Sequence, residues 1–253
     1  MIEWSQPLLD QLVLDGHYLI LFDNRDVGLS GDFANVATEG PAYSIRDMAG
    51  DLVGLLDHLG VASAHIAGMS MGGMIVQHAA LAFPDRVRSM TSIMSSSGKP
   101  SLPPPSTEAM FYLTAAPEDP ENREQVLALG VEGRLCFDGP GYPVDPKVHK
   151  ANLKQAMDRA YRPDGVARQL AAIAADTDRC EQLARIRVPT MVIHGTDDSL
   201  IPLAHGLDTA KSIPNARMEV VEGMGHALPD SLAPLIAELI RSHTGDVESR
   251  TAS

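Results

Sequence analysis

The chain has 253 residues, 44% of them hydrophobic, which is enough to bury a sizeable core and fits one α/β domain carrying an insertion. A formal net charge of -13, from 20 Lys and Arg against 33 Asp and Glu, argues against the clustered basic surface that nucleic-acid backbones require. Cys136 and Cys180 lack CxxC spacing and read as reduced thiols; no window reaches the roughly 18 apolar residues of a membrane span, and the opening MIEWSQPLLD lacks the basic-then-apolar run of a secretory signal, so a cytoplasmic protein is expected.

Short apolar runs alternate with helix-length amphipathic segments, the pattern of parallel strands joined by crossover helices. Strands are predicted at 17–22 (HYLILF), 63–68 (SAHIAG), 87–94, 189–194 (PTMVIH) and 217–221. Between the first two, Ile45, Met48, Ala49, Leu52, Val53, Leu56 and Leu59 fall on one helical face, with Ser44 and Asp47 spaced as an N-terminal cap. Further helices are predicted over 71–83, 203–213 and 231–243, with Pro84 and Pro214 following two of them. The stretch 98–187 opens with KPSLPPPS and holds helix-like pieces at 121–129, 147–161 and 164–175 without a convincing strand. It reads as a helical cap inserted into a core made of 1–97 and 188–243. The polar residues 244–253 read as a disordered tail.

The sharpest motif is Gly68-Met69-Ser70-Met71-Gly72, placed directly after a strand and directly before a helix. In a G-x-S-x-G turn the serine sits at a strained corner, small neighbours two residues away let the backbone close up, and the first helical N–H groups point at a forming oxyanion, so Met71 N–H is the candidate donor. The bland alternative is a chance match in a glycine-rich loop. A nucleotide-binding loop is a poorer rival, because neither G-x-G-x-x-G nor GK[ST] occurs.

A serine hydroxyl needs a base held against it, and the base needs an orienting acid, in the chain order Ser, Asp or Glu, His. HGTDDSLIP offers Asp197 and Asp198 beyond the C-terminal end of the fourth strand, and EGMGHALP offers His226 beyond the fifth. His17, His65, His58 and His78 fall at strand or helix positions, while His149, His205 and His243 lie in surface-like polar contexts. His194, ending a strand before Gly195, fits a packed turn better than a mobile base. Met69, Met71, Met74, Met94 and Met224 gather near the site and read first as flexible core filling, second as a soft acyl pocket.

HIAGMSMGG, VPTMVIHGTDD and EGMGHALP together resemble the α/β-hydrolase superfamily, and the longer run IEW, FDNRDVGLS, GMSMGGMIVQ and GMGHALP is similar to bacterial esterases of the aclacinomycin methylesterase type. The resemblance covers nearly the whole chain and implies an α/β-hydrolase fold, a mostly parallel sheet with helices on both faces and a helical cap. It assigns the acid to Asp198, three residues after Gly195, with Asp197 as the alternative, and gives Asp23 and Arg25 a loop-holding role. It also implies two strands, and a third ending in a glycine-rich loop that donates a second oxyanion N–H, ahead of the IEW segment. Met1 falls where that loop should end, so an N-terminally truncated sheet is expected, lacking the strand between HYLILF and SAHIAG.

The expected chemistry is hydrolysis of a carboxylic ester of a small or medium-sized, partly apolar molecule through an acyl-enzyme, by Ser70, His226 and Asp198, with no metal or organic cofactor required. Lactone or carbon–carbon hydrolysis and acyl transfer are alternatives within the fold, and a non-catalytic remnant or small-molecule-binding protein is the alternative outside it.

Overall fold

The computed structural model describes residues 3–35 and 40–251, with the side chains of the last two left out. Four parallel strands, β1 (Ala64–Met69), β2 (Val87–Ile93), β3 (Thr190–Gly195) and β4 (Arg217–Val221), lie side by side in that order. Met69 pairs with Ile93, Ile93 with Ile193, and Gly195 with Val221, so the C-terminal ends of all four open on one edge of the sheet.

Parallel neighbours need crossover helices, and these cover both faces. On one side α2 (Ile45–His58) and α3 (Met71–Ala82) bury Met48, Leu52, Leu56, Ile75 and Ala79 against Ile66 and Met90 of the sheet. The predicted cap of α2 is a closed capping box, in which Asp47 N–H donates to Ser44 Oγ at 3.2 Å and Ser44 N–H donates to Asp47 Oδ2 at 2.8 Å. On the other side α1 (Gln6–Leu14) and α10 (Ala233–Thr251) bury Leu8, Leu12, Ile236 and Ile240 against Ile93, Met191 and Ile193. Between β2 and β3 the chain forms α4 (Thr107–Thr114), α5 (Arg123–Phe137), α6 (Pro146–Arg159), α7 (Pro163–Ala175) and the short α8 (Cys180–Leu183); α9 (Leu203–Ser212) links β3 to β4.

Three expectations are corrected. Residues 17–22 form no strand: among the described residues no strand lies beside them, and without a ladder partner an apolar run stays extended coil, with Tyr18 almost wholly exposed. Residues 244–251 of the tail are helical, because α10 runs on to Thr251, while 252–253 lie outside the described residues; Thr244 and Val247 are buried, and Glu248 reaches His65 at 2.9 Å and Arg88. Finally, His149 and His243 are buried rather than superficial, His149 because Asp138 faces it at 2.8 Å and His243 because it lies on the inner face of α10. The helix α1 went unread, although Pro7 in its first turn and Leu8 and Leu12 at i, i+4 are its sequence signals.

The FDNRDVGLS loop is tied to the helices after β2. Asp26, fully buried, accepts two bonds at 2.8 Å from Arg168 of α7, and Asp23 pairs with Arg159 of α6 at 2.6 Å. Arg25 grips Asp51 of α2 with two 2.7 Å bonds while its guanidinium lies over the rings of Phe33 and Tyr43.

Candidate active site

Ser70 stands between β1 and α3 with φ 55° and ψ -123°, in a region that non-glycine residues seldom enter. Two bonds hold it there: its N–H donates to the Ile93 carbonyl at 2.9 Å, and its carbonyl accepts from Ser95 Oγ at 2.8 Å. The tightness of the corner is set by two glycines. A Cβ on Gly68 would stand 2.1 Å from the Gly72 carbonyl oxygen, and one on Gly73 would stand 2.4 Å from Ser95 Cβ, whereas one on Gly72 would meet open space. Of the two motif glycines only Gly68 is sterically required; the second requirement falls one residue further on, at Gly73.

From Ser70 a chain of hydrogen bonds leads inward. Its Oγ–H donates to His226 Nε2 at 2.9 Å, and His226 Nδ1–H donates to Asp198 Oδ2 at 2.8 Å. Asp198 Oδ1 accepts the backbone N–H groups of Leu200 at 3.0 Å and Ile201 at 2.7 Å. Burial pushes the Asp198 carboxyl up, but bonds from His194 and His226 and from the Ile201 N–H outweigh it, leaving the group at about 2 and therefore ionised at neutral pH. Asp197 is exposed and turns away, accepting from Thr196 Oγ1 at 2.5 Å.

The loops that carry acid and base are interlocked. Gly195 packs so closely on the Met224 carbonyl that a Cβ would lie 1.9 Å from its oxygen; Asp197 N–H donates to that same oxygen at 3.0 Å, and Gly223 N–H donates to Thr196 Oγ1 at 2.8 Å. The end of α5 clamps the other side, where His226 N–H donates to the Phe137 carbonyl at 2.8 Å and the Phe137 ring meets the imidazole edge to face. Met71 opens α3, so its N–H is among those without an intrahelical acceptor.

Ser70 and His226 line a cavity of about 1160 Å³. Its apolar wall includes Trp4, Met69, Met71, Met94, Phe137 and Leu228, while Met74 and Met224 belong to the core alone. Asp23 accepts from Leu29 N–H within its own loop and Arg25 bonds Asp51 of α2; neither side chain is bonded to Ser70, His226 or Asp198 among the described residues. His194 fills the packed turn expected of it, and its Nε2 lies 3.4 Å from Asp198 Oδ2, a closeness that its position four residues before the acid could have signalled. No group of three or more His, Cys, Asp or Glu side chains arranged to hold a metal occurs among the described residues.

A strand–turn–helix corner at the serine, with acid and histidine on loops beyond later parallel strands, defines the class as α/β hydrolase. The chain belongs to the alpha/beta hydrolase fold family, whose model matches residues 2–139. Rhodomycin D methylesterase DnrP of Streptomyces peucetius is 30% identical over 260 residues, which span 95% of this chain and 86% of the relative. A 2-hydroxy-6-oxononadienedioate/2-hydroxy-6-oxononatrienedioate hydrolase of Cupriavidus pinatubonensis is 31% identical over 223 residues, 86% of this chain and 73% of the relative. Among solved structures, a meta-cleavage product hydrolase from Pseudomonas fluorescens IP01 superposes with a TM-score of 0.71 at 18% identity, covering 88% of this chain and 78% of that one, a likeness of fold.

Proposed function

We propose that this enzyme hydrolyses a carboxylic ester of a small or medium-sized, partly apolar molecule, with Ser70 as nucleophile, His226 as general base and acid, and Asp198 as the orienting acid. The observation that carries the reading is the unbroken relay from Ser70 Oγ through His226 to Asp198, at 2.9 and 2.8 Å, opening into a cavity lined by both apolar and polar side chains. The 30% identity to a methylesterase supports an ester as the bond cleaved.

In the first half-reaction Ser70 Oγ attacks the ester carbonyl as its proton passes to His226 Nε2, and the ionised Asp198 stabilises the imidazolium. The Met71 N–H, at the positive end of α3, holds the carbonyl oxygen as it becomes an oxyanion. Collapse breaks the carbonyl–alkoxy bond, and His226 returns its proton to the departing alcohol. Water, deprotonated by His226, then attacks the acyl-enzyme; the second collapse releases the carboxylate and restores the serine. No step calls for a metal or organic cofactor. Residues 98–187 act as the cap that shapes the cavity, through Phe137, Val144, Val148 and Asn152. The cytoplasm is the proposed setting; no helix among the described residues is long and apolar enough to cross a membrane.

The test is labelling with a fluorophosphonate, followed by peptide mapping and by hydrolysis of short p-nitrophenyl esters. Label on Ser70, lost together with turnover in Ser70→Ala, is the expected result. Label on another serine, or turnover that survives in Ser70→Ala, overturns the reading.

A further inference from the structure

His194 is the last residue but one of β3 and its side chain is completely buried. Its Nε2 faces two acceptors, the Ile201 carbonyl at 2.7 Å and Asp198 Oδ2 at 3.4 Å. An atom between two acceptors must carry the hydrogen, so the ring is the Nε2–H tautomer. Among the described residues its Nδ1 has no hydrogen-bond partner. On that side α9 meets the ring with Gly206, where a Cβ would lie 2.4 Å from Nδ1, and α9 turns its own imidazole, His205, to Ser96 Oγ and the Pro103 carbonyl. The titratable groups on the donor side are Asp198 and, through it, His226.

We propose that His194 is a positioning residue for the relay: its Nε2–H ties the Ile201 carbonyl, and with it the two N–H groups that grip Asp198 Oδ1, while sharing the charge on the Oδ2 that faces His226. The inference rests on the triad reading above and adds a fourth side chain to it. Burying a polar ring with one nitrogen unbonded costs more than burying an apolar side chain of similar volume. What distinguishes the residue is the single donor at Nε2.

His194→Phe removes that donor and puts a somewhat larger apolar ring in the pocket, with no bond at Nδ1 to lose among the described residues. His194→Gln returns an amide N–H at similar reach. With the donor gone, more charge on Oδ2 faces the imidazolium that forms during attack, so proton binding at His226 persists to higher pH. In p-nitrophenyl acetate hydrolysis the expected result for His194→Phe is about a tenfold loss of kcat, the order expected for one hydrogen bond to a charged acceptor. KM should be unchanged and the acid limb of kcat/KM should move to higher pH, with His194→Gln restoring both. His194→Leu removes the same donor with an apolar side chain of different shape and should shift the limb in the same direction, which keeps the test open if the Phe variant folds poorly. An acid limb that stays in place or moves down in His194→Phe and His194→Leu, or a Gln variant no better than Phe, overturns the proposal. Asp198→Asn serves as the reference: if it leaves turnover intact, the triad reading has failed rather than the role of His194.

Discussion

Asp198 and Asp197 are neighbours in the chain with opposite fates. One is sealed under His226 and His194 with both oxygens engaged; the other faces solvent beside Thr196. The buried carboxylate alone can fix the tautomer and direction of the imidazole, so Asp198→Asn should cut kcat by roughly 10⁴-fold, the loss seen when a triad carboxylate becomes an amide. Asp197→Asn should cost less than about tenfold, since it perturbs one exposed side-chain bond. Ester kinetics on the two variants decide the assignment, and a reversed ranking would move the acid to Asp197. The spacing after Gly195 favoured Asp198 but left Asp197 open, because two adjacent loop residues share a sequence context and differ only in which side of the loop they occupy.

On the proposed mechanism turnover depends on the strand–turn–helix unit around Ser70, whose glycines are not equivalent. Gly72→Ala adds a methyl to open space at the second position of α3 and should leave thermal stability and turnover close to the parent, with a propensity gain below the roughly 1 kcal/mol of a helix interior. Gly73→Ala drives a methyl into Ser95, the residue whose hydroxyl holds the Ser70 carbonyl, and should cost about 1 to 3 kcal/mol of stability together with most of the turnover. Thermal unfolding and ester kinetics on the pair would check this; equal behaviour would show that the corner does not depend on that contact. The G-x-S-x-G pattern announced the turn, and it misplaced one of the two close approaches, because Ser95 arrives from the end of β2 and its distance to Gly73 is written nowhere in the local sequence.

Across the whole molecule, two buried carboxylates tie separate parts of the chain together, and both are held well below their ordinary value. Arg168 holds Asp26 at about 2, and His194 and His226 help to bring Asp198 to about 2 against its burial. A carboxyl depressed from 3.8 to about 2 adds stability that is complete above about pH 4 and is lost as the pH falls through about 2. Thermal unfolding should therefore be level from about pH 6 to 4.5 on this account and fall steeply between about 4 and 2. Asp26→Asn should unfold at a lower temperature than the parent at pH 6, with the gap narrowing toward pH 2. A gap that stays constant with pH would mean that the Asp26–Arg168 tie between the FDNRDVGLS loop and α7 contributes no charge-dependent stability.

The sequence by itself determined what repeats locally: the parallel strands at 63–68, 87–94, 189–194 and 217–221, the amphipathic helix after Ser44, and the order of serine, acid and histidine at strand ends. Each of these follows from hydrophobic period, caps and turn chemistry, which act over a few residues. Only the tertiary structure decided the rest. HYLILF has the composition of a strand, but a strand needs a partner to bond, and none lies beside it among the described residues. The polar end of the chain reads as a tail, yet Val247 finds a buried place and Glu248 finds His65 and Arg88 from residues more than 150 positions away. The contacts of His194 with Ile201 and Asp198 form only when β3 and the loop after it close around its ring. Propensity is a property of a segment, whereas pairing, burial and a shared acceptor are properties of segments that meet, and the chain specifies those meetings only by folding.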